Sequence, residues 1–468
     1  MISRTILERR RRIGVLAILL VLTLNLGTLN TAAQNLPEPK RDELLNGLRV
    51  LVFSQPASPT VTIALRIHSG SAFDLAGKGG TMALLSDQLF PDPETRDFFV
   101  EELGGSLRVT VDYDSVNIRM TGRASEFERM LEILRTALIS TPITDANVTR
   151  LREARIKMMR EITVSPSFIA DRAIAKRVYS DYPYGRPPGG TPETIANVDR
   201  GDLLLARDRF YTPDNGTVVV IGGVQEARAS RALKQLLGAW RKSDKLVPST
   251  FRIPDAPDPR TLIIDIPGAE GGEIRLAVRS LSRSDRDYPA ATLLALLLRD
   301  RWLSASPELN RSALFVRNES YLLSGIFVMG SSVRGGDMSK VLDAAKNAMR
   351  SSIDSPPSAA ELERIRSEAN GAIQKGSAEP MSVADTWLNS ESYKLQFTGD
   401  PSASLNKVTS ADIQRVAARL FRDASIASVA VGSATQLKSE LERSGKVEVL
   451  GENQPSQPSR VTTPTKNP

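Results

Sequence analysis

The chain has 468 residues, no cysteine and a single histidine, His68. It therefore cannot assemble the Cys and His sets that hold protein zinc, and serine–histidine or cysteine–histidine catalysis would have to run through His68 alone. The formal charge of +7 is partly a leader effect, from Arg4, Arg9, Arg10, Arg11 and Arg12 against Glu8, and aromatics are only 5%, so a nucleic-acid platform has little support.

The leader, "ERRRRIGVLAILLVLTLNLGTLNTAAQN", has a basic start, an apolar run from Ile13 to Leu29 and then small residues. It reads as an export signal over 1–33 with a cleavage point after Ala33. The alternative is an uncleaved membrane anchor over 13–29. Either places the body outside the cytoplasm, periplasmic or extracellular. There, a chain without cysteine gains nothing from disulfides and relies on its cores.

From Leu48 the pattern alternates. "LRVLVFSQ" and "VTIALRIHSGS" predict two strands around a turn at Pro56–Thr60, with His68 a surface or strand-end residue. "GKGGTMALLSDQLF", Gly77 to Phe90, predicts a glycine turn opening a short helix. On that helix Ala83, Ser86 and Asp87 share one face. Two histidines and a glutamate at that spacing would make a zinc site with a general base. "VEELGGSLRVTVDYDSVNIRMTGR" predicts a helix end at Gly104-Gly105 and two strands. "SEFERMLEILRTALI", "TDANVTRLREARIKMMREI" and "PSFIADRAIAKRVY" predict helices, the second capped by Thr144 or Asp145. "TVVVIGGV" predicts a buried strand. "DYDS" at 112–115 and "SRSDRD" at 282–287 offer paired carboxylates, with solvated loop charge as the plain reading.

A polar, proline-rich stretch, "RKSDKLVPSTFRIPDAPDPRTL", predicts a linker, set at 246–260. After it the pattern repeats. "TLIIDIPGAEGGEIRLAVRS" follows "VLVFSQPASPTVTIALRIHS" at a constant shift of 211, and "VTSADIQRVAARLF" follows "VDRGDLLLARDRFY" at 210. Two copies of one unit are expected, at 45–245 and 261–450, with a disordered Pro- and Ser-rich tail at 451–468. The opening helix maps onto Thr292–Arg299 in the second copy, with no ligand set there either.

"YPYGRPPGGTPETIANVDRGDLLLARDRFYTPDNGTVVVIGGV", "GKGGTMALLSDQLF" and "EELGGSLRVTVDYDSVNI" together resemble the M16 zinc peptidases, the insulinase, pitrilysin and mitochondrial-processing-peptidase group. The resemblance runs from about Leu45 to Gly451. It implies an α+β fold of two homologous domains, each a mixed, largely antiparallel sheet with flanking helices, that together form half of a chamber. It puts the zinc histidines at Ala83 and Asp87 and the catalytic glutamate at Ser86. The distal ligand falls on Ala154, seven residues before Glu161, or on Glu153 if the register slips by one. The substrate-holding Arg and Tyr fall near Leu309 and Val316, with Arg311 and Tyr321 close by at a different spacing. The strand after Gly104-Gly105 resembles the family's edge strand, so Gly105, Ser106, Leu107, Arg108 and Val109 are candidate peptide-binding residues. The chain is then expected to hold no metal and to have no catalytic residues. It would serve as the non-catalytic subunit of an exported peptidase, beside a zinc-bearing M16 partner and unfolded peptides, with no nucleic acid. A stand-alone peptide-binding or scaffolding protein is the alternative.

Overall fold

The computed structural model describes residues 36–450 apart from 244–250, 253, 308, 310, 335 and 397–398. The leader, the first part of the linker and the tail lie outside the described residues. Among the described residues, no helix is long and apolar enough to cross a membrane.

The first domain holds strands β1 (Lys40–Glu43), β2 (Arg49–Ser54), β3 (Thr60–Ile67), β4 (Ser106–Val111), β5 (Val116–Arg123) and β6 (Gly216–Gly222). Its helices are α1 (Thr81–Leu89), α2 (Glu94–Glu101), α3 (Phe127–Arg135), α4 (Asp145–Ile162), α5 (Pro166–Tyr179), α6 (Pro192–Ala196), α7 (Arg200–Phe210) and α8 (Glu226–Leu237). The second holds β7 (Thr261–Asp265), β8 (Gly271–Ser280), β9 (Leu314–Glu319), β10 (Gly325–Arg334), β11 (Ala427–Gly432) and β12 (Val447–Leu450). Around it lie α9 (Tyr288–Ala305), α10 (Met338–Asp354), α11 (Ala359–Ser377), α12 (Pro380–Tyr393), α13 (Ala403–Asn406), α14 (Ser410–Phe421) and α15 (Ala434–Leu441).

The two sheets repeat one topology, β1-β2-β6-β3-β5-β4 and β12-β7-β11-β8-β10-β9. Only the first edge differs. β1 precedes its domain and runs antiparallel to β2, whereas β12 follows its domain and runs parallel to β7. The expected mixed, mostly antiparallel sheets are therefore present, and the repeat holds in register: Ile63 sits opposite Val220, and Ile274 opposite Ala430.

The central strands are apolar on both faces because both are covered. In β6, Val218 and Val220 face their own domain's core, while Val219 and Ile221 face helix α12 of the second domain. In β11, Ala430 faces its own core and Val429 and Val431 face α5 of the first. The domains thus exchange helices. α12 lays Val383, Ala384, Trp387 and Leu388 on the first sheet, and α5 lays Ala170, Ile174 and Val178 on the second. Each large apolar side chain so buried stabilises by about 1.5–3 kcal/mol.

Each exchanged helix also carries one aspartate to a buried arginine on the other sheet. Asp171 of α5 meets Arg275 Nε at 2.5 Å. Asp385 of α12 meets Arg119 at 2.9 Å and Arg66 at 3.6 Å. Arg66 is further fixed by Asn117 at 2.6 Å and Asn389 at 2.7 Å. This arrangement also settles His68. Of its two expected placements His68 takes the strand end, and it is half-buried: its ring lies between Thr217 Oγ1 at 2.9 Å and Ser392 Oγ of α12 at 3.0 Å. The second-copy counterpart of α1 is also longer than Thr292–Arg299, running the whole of α9.

Candidate functional site

The helix that would carry a metal site is α1, and its start is tightly specified. Gly80 has φ +96°, and a Cβ there would meet Ile195 at 2.9 Å and the Gly189 carbonyl at 3.0 Å, so only glycine fits. The "GKGG" turn thus packs against the later "PPGGT" loop, which explains why both are glycine pairs. Asp74 closes the helix start, accepting from the N–H groups of Gly80 at 2.7 Å and Met82 at 2.9 Å. Burial pushes its carboxyl up to about 7, against the downward pull of those donors. Lys78, in the same turn, is ion-paired with Asp199 and Asp202, the capping-box residues of α7.

The three positions of interest do not converge. Ser86 is buried and turns inward, donating to the Met82 carbonyl at 2.7 Å and lying 2.7 Å from the Tyr211 hydroxyl. Ala83 is buried and supplies only its carbonyl. Asp87 is partly buried and faces α4, where it meets Arg155. The guanidinium Nε donates to Asp87 Oδ2 at 2.7 Å, and its Nη2 donates to the Ala83 carbonyl at 3.2 Å. Burial pushes the Asp87 carboxyl upward, and Arg155 opposes that shift. The residue of α4 that reaches α1 is therefore Arg155. Ala154, Glu153 and Glu161 are all exposed.

These residues do not fit a zinc ion. One face offers a carboxylate already engaged by a guanidinium, and the base position offers a hydroxyl bound to a buried tyrosine. Among the described residues, no three His, Cys, Asp or Glu side chains form a group that could hold a metal ion. Arg155 was the residue that sequence reasoning passed over, although it adjoins the ligand position.

The other candidates fall into two groups. Ser106–Val111 forms β4, the outer strand of the first sheet, paired only with β5 among the described residues, with Ser106 and Arg108 exposed and Leu107 buried; Gly105 directly precedes it. In the second domain, Leu309 and Val316 are buried in the core and Arg311 lies in a 3-10 turn before β9. Tyr321 is enclosed at the domain interface, its hydroxyl donating to Glu319 at 2.8 Å.

Of the paired carboxylates, Asp112 is exposed as a loop charge, whereas Asp285 and Asp287 are engaged by arginines. Asp285 and Asp287 clasp Arg419, and Asp287 also clasps Arg415 at 2.7 Å, binding α14 to the start of α9. Those arginines hold Asp287 below the usual carboxylate range. Asp112 secures its own turn, accepting from the Ser115 N–H at 2.7 Å, while Asp114 reaches the second domain.

Two family models match the chain in succession, the second beginning within the first domain and crossing the linker. Residues 49–191 match "Insulinase (Peptidase family M16)" and residues 197–369 match "Peptidase M16 inactive domain". The chain belongs to the M16 peptidase family. A probable mitochondrial-processing peptidase subunit beta of Schizosaccharomyces pombe is 20% identical over 86% of this chain and 93% of its own length. Its Arabidopsis thaliana counterpart is 22% identical over 43% of this chain, which spans only 39% of that protein. Among solved structures, a protease from Helicobacter pylori has a TM-score of 0.77 at 18% identity, covering 85% of this chain and all of its own. These likenesses establish the fold.

Proposed function

We propose that the chain is the non-catalytic subunit of an exported M16-type metallopeptidase, forming half of a chamber and positioning peptide substrates. The observation that carries this reading is the Asp87–Arg155 pair at a position where the family resemblance would put a metal ligand. A guanidinium there supplies positive charge but no open coordination site and no activated water. The zinc would belong to a partner chain of the same family. Substrate would add to the free edge of β4 around Gly105, Ser106, Leu107, Arg108 and Val109 by backbone pairing, where side-chain identity matters little. The apolar leader supports an extracytoplasmic location.

The test is recovery of the full chain, tagged, from the envelope of its own cells. A co-purifying M16 chain with His-x-x-Glu-His, and peptide cleavage only when both are present, is the expected result. Stoichiometric zinc in the chain alone with chelator-sensitive cleavage would overturn the reading. A homodimer that binds peptides with no peptidase attached would favour the stand-alone scaffold.

A further inference from the structure

The β4–β5 turn, Asp112 to Ser115, and the β9–β10 turn, Ser320 to Ser324, are counterparts in the repeat, and their tips meet at the domain boundary. Asp114 is the link. One carboxyl oxygen accepts from the Tyr184 hydroxyl at 2.6 Å, and the other accepts from the Leu322 N–H of the second domain, also at 2.6 Å. Aromatic rings wall the contact. Tyr113 lies 5.0 Å from both Tyr184 and Tyr321, and Tyr184 lies 4.9 Å from Tyr321. Tyr179 ties the same turn down through the Ser324 carbonyl at 2.9 Å.

We propose that this contact is a proton-linked latch: the two hairpin tips dock more tightly when Asp114 carries a proton and loosen when it is ionised. The surroundings favour the neutral acid. Neither Asp114 oxygen has an arginine or lysine partner. Asp112 lies on its own turn and Glu319 on β9, both carboxylates. The cation in its field, Arg66 on β3, is engaged elsewhere, by Asn117, Asn389 and Asp385. Tyr182, which packs on Tyr184 and feels the Asp114 charge, Tyr393 at the end of α12, Arg283 beside Tyr321 and Arg279 in the field of Tyr179 also face the joint. Burial raises the hydroxyls of Tyr113, Tyr184, Tyr321 and Tyr393, so they stay protonated.

A protonated carboxyl keeps an acceptor for the Leu322 N–H and can donate to the Tyr184 oxygen, so both contacts survive. Burial pushes Asp114 up to about 6 from 3.8, and the Tyr184 and Leu322 donors only partly oppose it. Undocked and in water, the group returns to its ordinary value. The docked form therefore holds the proton across the interval between the two, and docking weakens as pH rises through it.

Hydrogen exchange of the Leu322 and Leu323 amides in the full chain tests this, corrected for the intrinsic pH dependence of exchange. Between pH 4.5 and 7.5 their protection should fall about 25-fold. Asp114→Asn should flatten that fall to under about two-fold. Tyr184→Phe should keep it and move its midpoint upward, because a donor favouring the anion is gone. A flat wild-type profile would overturn the latch, as would Asp114→Asn retaining the wild-type slope. If Asp114→Asn does not fold, a Tyr184→Phe midpoint that stays put or drops is the refuting result.

Discussion

His68 offers a test of the domain interface that no other residue type can, because it is the only histidine in the chain. Its ring is held between Thr217 and Ser392, with Arg49 and Arg66 in its field. Burial, and then those two guanidiniums, push it down to about 3 from 6.5. The folded chain therefore keeps His68 neutral where the unfolded chain protonates it. Stability from this group is fully present above pH 6.5 and is lost as pH falls toward 3. Each pH unit in that window is worth about 1.4 kcal/mol, so about 2–3 kcal/mol should disappear between pH 6.5 and 4.5.

Asp74 and Asp114 act in the opposite direction, since acids raised by burial give up stability as pH rises. The measurement must therefore be a difference. Urea unfolding of the wild type and of His68→Gln at pH 7.5, 6.5, 5.5 and 4.5 isolates the histidine. Glutamine keeps an amide that can bond to both hydroxyls but does not titrate. The wild type should lose about 2–3 kcal/mol relative to the variant by pH 4.5. The single imidazole resonance should show no titration above pH 5. A folded-state midpoint near 6.5, or parallel pH profiles for the two chains, would refute the argument.

Four further outcomes follow from the packing and the site. Trp387→Ala empties a pocket formed by Phe53, Ala64, Val219 and Ile221, and should cost about 3–5 kcal/mol by urea unfolding; a loss below about 1 kcal/mol would deny the helix exchange its packing role. Asp385→Ala strips the carboxylate from the buried Arg66 and should cost about 2–3 kcal/mol, whereas Asp171→Ala should cost about 1 kcal/mol because Arg275 keeps Glu273 at 2.8 Å; equal losses would contradict this asymmetry. At Asp87 and Arg155, single changes to Leu and Met should each destabilise while the double change recovers about 1.5–3 kcal/mol, and simple additivity in the cycle would show the pair to be idle. Proline at Arg108 and at Val109 probes the edge strand, because successive N–H groups point to opposite sides. The tolerated variant should bind unfolded peptide about ten-fold more weakly by fluorescence anisotropy, and unchanged binding would argue against β-addition.

The duplication was legible because matching residues of strands and of one helix recur at shifts of 211 and 210, one gap apart. The exchange of α5 and α12 was not read, although its trace is present. "PSFIADRAIAKRVY" and "PMSVADTWLNSESY" share proline, the Ala-Asp pair and the final tyrosine at a shift of 214. That shift departs from 211 and 210, so the segments fall off the diagonal set by the strands. Their apolar positions also answer to the other domain's sheet, which no local pattern records. The doubly buried character of "TVVVIGGV" was visible, but what covered its second face was not.

The site shows a different limit. The mismatch at Ala83, Ser86 and Asp87 could be read directly, and so could the shortage of histidine. What replaced the site could not, because a family register directs attention to Ala154 and past its neighbour. Two helices meeting at a partly buried carboxylate require a positive charge to balance Asp87, whatever chemistry is or is not carried out there. Arg155 provides that charge and also takes a carbonyl of α1, so it joins α1 to α4 directly. Ser86 likewise anchors α1 to the residue that follows α7 through Tyr211. Ala83, Ser86 and Asp87, where the resemblance would place reactive groups, all serve packing here. The surrounding glycine turns, Asp74 cap and Lys78 pairs hold α1 where it would be needed as a wall. α1 is thus fixed as a wall of the first domain beside β4, one of the two edge strands of that sheet among the described residues.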